Sequence, residues 1–165
     1  MIDFSRPGER GRFQDGATHL RPVEALELAQ IGAVFVDIRE AYETNFRVFA
    51  VPEVLYLEWS RFREGFADLP KDCPLILCDA VGTWSLTAAA ILREAGYANL
   101  AVLIGGMVDW EKDGFPIRKD KDYELSGQCS CKLKPRIGGN PLKKRADAGL
   151  TGSQPAGIHE TLKKE

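Results

Sequence analysis

The sequence predicts an α/β fold: a mostly parallel sheet with helices on both faces, followed by a largely irregular C-terminal tail. Three observations predict it. Short, nearly continuous runs of β-branched, aliphatic and aromatic residues alternate with segments of helical period. The runs lack the in–out polar alternation of half-exposed strands, as strands covered on both faces do. After Ile117 the alternation stops, and "RKDKDYELSGQCSCKLKPRIGGNPLKK" has no sustained period and many breakers.

Taken in order, residues 1–18 are rich in Gly, Arg and Asp and read as an N-terminal arm. "RPVEALELAQIG" predicts a helix: Pro22 suits a first turn, Val23, Leu26, Ala29 and Gln30 recur at helical spacing, and Gly32 is placed to stop it. "AVFVDI" predicts a buried strand and "EVLYL" a second. "EWSRFREGFADLP" reads as a helix ending before Pro70. "PLILC" predicts another buried strand, and residues 83–95 a strong helix closed by Gly96. "NLAVLIGG" then gives a strand and "MVDWEKDG" a short helix. The chain divides into the arm, an α/β domain over residues 19–117, and an extension over residues 118–165.

Composition narrows the function. Hydrophobic residues make up 44% of the 165, which suits a globular domain with a real core. No apolar run is long enough for a bilayer and the start has no apolar leader, so neither membrane nor signal peptide is expected. Four cysteines at uneven spacing do not make a disulfide framework, which points to a reducing, cytoplasmic setting. Charge is divided unevenly. Residues 118–165 carry 11 Lys+Arg against 6 Asp+Glu, while residues 1–117 carry 11 against 18. The basic cluster "LKKRADAG" lacks a nearby aromatic on which a base would stack, so no nucleic-acid partner is expected. Nothing in the chain sets an oligomeric state.

In parallel sheets chemistry gathers at the C-terminal ends of strands. Cys78 ends "PLILC", and "DAVG" leads from it into the next helix. It has two readings: a nucleophile at a helix mouth, or a small apolar residue closing a core strand. Cys73 reads as inert. Cys129 and Cys131 form a Cys-x-Cys, two ligands where a zinc site takes four. His19 and His159 show no ligand spacing, so no metal and no cofactor are expected.

Three motifs in register carry a resemblance: "VFVDIREAYE", the Cys-loop-Ser-helix of Cys78 to Ser85, and "NLAVLIGGMVDWEKDGFPI". Over residues 19–117 the chain resembles a single-domain rhodanese, the thiosulfate:cyanide sulfurtransferase family. The resemblance implies a five-stranded parallel sheet and a persulfide-carrying cysteine matched by Cys78. It implies structural roles for Asp37 and Arg39 after the early strand, and for Gly105, Gly106 and Trp110 near the end. It also implies that the backbone amides of Asp79, Ala80, Val81, Gly82, Thr83, Trp84 and Ser85 form an anion nest for the sulfur. A sulfane-sulfur donor and a thiol acceptor are then the expected partners.

The chain departs from the family at instructive places. Typical members have Gly-His-Ile-x-Gly-Ala where this chain has "NFRVFAVPEV", and a loop reading Cys-x-x-Gly-x-Arg-Ser. Counted from Cys78 the loop here is one residue longer before its serine, a spacing similar to that of the related phosphatases and arsenate reductases. Trp84 stands where those have arginine, which argues against oxyanion chemistry. Trp84 reads as a lid on the loop. A helix terminus favours a Cys78 thiolate by about 1–2 kcal/mol. Repulsion from Asp79 opposes it by at most a few kcal/mol at a surface-like dielectric. With no cation in the loop, a neutral or protein-bound donor fits better than thiosulfate. The reading is therefore sulfur transfer through Cys78, with Cys129 or Cys131 folding back as relay or resolving thiol. The competing reading is a non-catalytic rhodanese-like binding or regulatory module.

Overall fold

The computed structural model describes residues 2–4 and 11–120. In chain order its elements are β1 (Arg12–Gln14), β2 (Ala17–Leu20), α1 (Pro22–Gln30), β3 (Val34–Asp37), α2 (Ala41–Thr44), β4 (Arg47–Phe49) and β5 (Val54–Tyr56). There follow α3 (Phe62–Gly65), β6 (Leu75–Cys78), α4 (Trp84–Glu94), β7 (Leu100–Leu103), α5 (Gly106–Lys112) and β8 (Ile117–Lys119). The main sheet runs β1-β2-β7-β6-β3-β5. The pairs β2–β7, β7–β6, β6–β3 and β3–β5 are all parallel, which makes the expected five-stranded parallel sheet. A sixth strand, β1, adds to its edge antiparallel to β2. Among the described residues no helix is long and apolar enough to cross a membrane.

The parity of the central strands sorts their side chains into two cores. Ile76 of β6 joins Phe35, Leu20, Leu103 and Trp110 under α1 and α5. Leu75 and Leu77 join Val34, Val36 and Val102 beneath α4, whose Ala88, Ala89 and Leu92 face them. Cys78 shares the parity of Ile76 and belongs to the first core.

Three expectations are corrected. Residues 1–18 are not an arm throughout: β1 lies inside them and β2 begins there, and Phe4 is buried. The helix expected from Glu58 to Leu69 is broken into a 3₁₀ turn (Trp59–Arg61), α3, and a second 3₁₀ turn (Phe66–Asp68). Gly65 sits in its middle against Leu57, where a Cβ would lie 2.7 Å from Leu57 Cδ1. A second sheet was not anticipated: β4 pairs antiparallel with β8, so the domain continues past the boundary expected at Ile117. Arg47 and Lys119, partners in that register, both bind Glu111 of α5, Lys119 at 2.5 Å. Cys129 and Cys131 lie outside the described residues.

Candidate functional site

The site is the loop between β6 and α4, at the C-terminal edge of the sheet. Its centre is the carboxylate of Asp79, only 2% exposed. Asp79 Oδ1 accepts the N–H groups of Val81 (2.9 Å) and Gly82, and Oδ2 accepts those of Trp84 and Ser85 (3.0 Å). The N-cap of α4, Thr83, makes no side-chain cap bond. The first helical amides are instead satisfied by an anion reaching in from five and six residues upstream, where the helix dipole favours negative charge.

The loop is held from below. Met107 N–H donates to the Asp79 carbonyl (2.9 Å) and Val108 N–H to that of Ala80 (3.0 Å). This approach requires Gly106: its φ is +55°, and a Cβ there would lie 2.4 Å from the Asp79 carbonyl oxygen. Gly82, at φ +90°, brings the loop against Gly105, whose nitrogen a Cβ would meet at 3.0 Å. Trp110 anchors α5. It is fully buried, donates Nε1–H to the Pro116 carbonyl (2.9 Å), and packs edge-on against Phe35 (5.5 Å) and Phe49 (5.4 Å).

Cys78 is placed differently from the loop that follows it. It is fully buried, opposite Asp37 in the β3–β6 register, and its Sγ–H donates to the Val36 carbonyl at 3.4 Å. Burial first, then the charges of Asp37 and Asp79, push its thiol well above the ordinary range, with Arg39 pulling the other way. Arg39 is itself committed. Its Nε and Nη2 bind the Asp37 carboxylate at 2.9 and 2.6 Å, and Nη2 also donates to the Arg47 carbonyl. This buried pair ties the β3 end to β4, with the guanidinium 5.3 Å above the Phe49 ring. Cys78 is thus a fully buried core thiol whose ionisation its surroundings oppose.

Four of the seven amides expected to surround the sulfur of Cys78, those of Val81, Gly82, Trp84 and Ser85, therefore converge on Asp79 instead, one residue later. The reason is strand parity: Cys78 must follow Ile76 into the core, and the next residue turns to the helix mouth. A signal for this was present in the sequence. Gly82 falls three residues after Asp79 and Ser85 six, so counted from Asp79 the loop reads Asp-x-x-Gly-x-Trp-Ser, the family spacing without an insertion. Trp84 does not seal the loop. Its ring packs on Trp59 at 4.9 Å while 52% of it remains exposed. With Val81, Ile104 and Val108, each 42–55% exposed, it leaves apolar surface on the loop and on the start of α5.

Comparison with known proteins adds to this geometry. The family model for the rhodanese-like domain matches residues 22–113. The thiosulfate sulfurtransferase GlpE of Haemophilus influenzae is 33% identical over 102 residues, 59% of this chain and 91% of that protein. A sulfurtransferase of Allochromatium vinosum is 30% identical over 84 residues, 51% of this chain and 77% of its own. Among solved structures, a rhodanese-related protein of Thermoplasma volcanium superposes with a TM-score of 0.56 at 24% identity, covering 62% of this chain and 98% of that one, a likeness of fold.

Proposed function

The chain belongs to the rhodanese-like domain family, and from that membership we propose that it is a member whose sulfur-binding nest is filled by its own Asp79 carboxylate, a non-catalytic module. Its sulfurtransferase relatives support a sulfurtransferase or sulfur-carrier role at the level of the family. For this chain the observation that supports the finer reading is that both oxygens of one buried side chain take four amides of the loop. Persulfide formation needs a thiolate there. It attacks the outer sulfur of thiosulfate, the S–S bond breaks, sulfite leaves, and the new S–S⁻ is held by those amides. A carboxylate occupies that anion position and cannot form the persulfide. Cys78 faces the opposite core, with its thiol neutral and enclosed. The same occupation, with tryptophan in place of a guanidinium, leaves no seat for a phosphoryl group or arsenate. What remains at the mouth is apolar surface around Trp84, suited to a partner rather than a small anion.

The test is a substitution that restores chemistry. Asp79→Cys, exposed to thiosulfate or a persulfide donor, is expected to gain one sulfur atom at position 79. Cyanide then removes it as thiocyanate. Wild type is expected to gain none. Sulfur found by peptide mass spectrometry on Cys78 of the unaltered chain would overturn the proposal in favour of sulfur carriage by that thiol.

A further inference from the structure

The structure contains a cavity that the loop does not use. It measures about 440 Å³ and lies between β5 and the α3 region, in the size range of ligand and peptide sites. Leu55, Leu57 and Leu69 give it apolar walls. Its charged lining is three carboxylates, Glu58, Glu64 and Asp68, against one guanidinium, Arg61. β5 is the edge strand of the main sheet, so this wall stands at a border of the domain.

The described chain ends on the first-core side, where Ile117 packs, whereas the cavity's Leu55, Leu57 and Leu69 lie with the second core. β8 pairs with β4, and four residues separate β4 from β5, the strand that forms the wall. Asp120 N–H donates to the Phe46 carbonyl, just before β4. Arg118 of β8 is close enough to Tyr56, in the cavity lining, to ease loss of a phenol proton that burial pushes up to about 12.

Beyond residue 120 the sequence contains the complement of this lining. Residues 132–145, "KLKPRIGGNPLKKR", hold six cations and no carboxylate, with Leu133, Ile137 and Leu142 between them. Lys132 lies twelve positions beyond Asp120, about 40 Å of extended reach, which spans a domain of this size. Tethering also places the segment at an effective concentration on the order of millimolar, ahead of a dilute partner. Its aliphatic residues match the leucine walls in kind and its cations the three carboxylates in charge.

We propose that residues 132–145 dock in the cavity between β5 and α3 of their own chain, with lysines and arginine on Glu58, Glu64 and Asp68 and an aliphatic side chain, Leu133 or Ile137, against the leucines. The contact is independent of whether the Asp79 loop is catalytic.

Zero-length carbodiimide cross-linking tests it on the full chain, using an equal mixture of ordinary and ¹⁵N-labelled protein and peptide mass spectrometry. Lys132, Lys134, Lys143 or Lys144 are expected to link to Glu58, Glu64 or Asp68 within one isotopic chain. The yield should fall several-fold in 1 M salt, where exposed charges are screened within about 3 Å. It should also fall several-fold in Leu133→Ser/Ile137→Ser, a variant outside the described domain, and in Glu64→Gln/Asp68→Asn. Links spread evenly over exposed carboxylates would overturn the proposal. So would mixed-label links making up about half of the total, the proportion of random pairing between copies, which would put a second copy in the groove, or an unchanged yield in Leu133→Ser/Ile137→Ser. An absence of tail links to the three carboxylates would overturn it equally.

Discussion

At the scale of single residues, Asp79 caps the loop and the start of α4, and that cap makes a measurable contribution to stability. Asp79→Ala strips four loop and helix-start amides of their acceptor. Water recovers part of that loss, and a cost of about 2–4 kcal/mol in urea unfolding is expected from charge-assisted bonds of this kind. A variant as stable as wild type would mean that the carboxylate is incidental to the loop. The neighbouring thiol is expected to act through pH. The folded-state pKa of Cys78 is raised above its unfolded value. Above the unfolded value near ~8.5 the unfolded chain therefore loses this proton while the folded chain keeps it. Its contribution is complete below that pH and is lost at up to ~1.4 kcal/mol per pH unit as pH rises toward the folded value. Cys78→Ala should flatten the alkaline limb of a stability–pH curve measured by urea midpoints. An identical limb in both proteins would show that the thiol is not protected. At these two residues the linear spacing admits two countings of the loop. Cysteine is the chemically conspicuous residue, so the loop was counted from Cys78. Gly82 and Ser85, which set the family spacing, point to Asp79 instead.

At the scale of elements, the strands were legible because burial on both faces leaves an uninterrupted apolar run, as in "AVFV" and "PLIL". The face that each side chain takes depends on the strand's neighbours, which a linear pattern does not encode. Segments with weak periodicity were read less well. The α3 region keeps aromatic residues at helical spacing, but Gly65 and its contact with Leu57 fit a chain broken into 3₁₀ and α turns. β4 and β8 are three residues each and meet only through tertiary pairing, so no local signal announces them. The element that matters most for the site is the start of α5. Gly106→Ala would force a Cβ into the Asp79 carbonyl at a φ that L-residues rarely adopt. A loss of about 2–4 kcal/mol is expected, with hydrogen exchange accelerated first at Met107 and Val108, whose amides clamp the loop. If exchange rises uniformly across the domain instead, the clamp is not a local unit.

At the scale of the molecule, the sheet carries two separate cores, and short terminal segments close it at both ends. At the N-terminal end, the Asn99 side chain accepts the Phe4 amide at 2.7 Å and donates to the Ile2 carbonyl at 2.8 Å, while Thr18 Oγ donates to the Phe4 carbonyl. The two Asn99 contacts join residues nearly a hundred positions apart, so no local pattern in the sequence announces them. At the other end β8 lies on β4, and Glu111 joins Arg47 and Lys119 across the small sheet. The composition shift after Ile117 falls inside β8, whose pairing with β4 continues to Lys119. The structure makes the boundary a quantitative matter. A chain ending at residue 120 keeps the β4–β8 ladder, the Asp120 bond to Phe46 and the packing of Ile117 on the first core. A chain ending at residue 116 loses all three while retaining Trp110 and the Pro116 carbonyl that its indole binds. Counting roughly 0.5–1.5 kcal/mol for each ladder bond lost and about 1 kcal/mol for the half-buried isoleucine, the shorter chain should be less stable by about 2–4 kcal/mol. The comparison of urea midpoints between the two truncations isolates β8 from everything beyond it. Coincident midpoints would return the domain boundary to Ile117 and reduce β8 to an ornament of the fold.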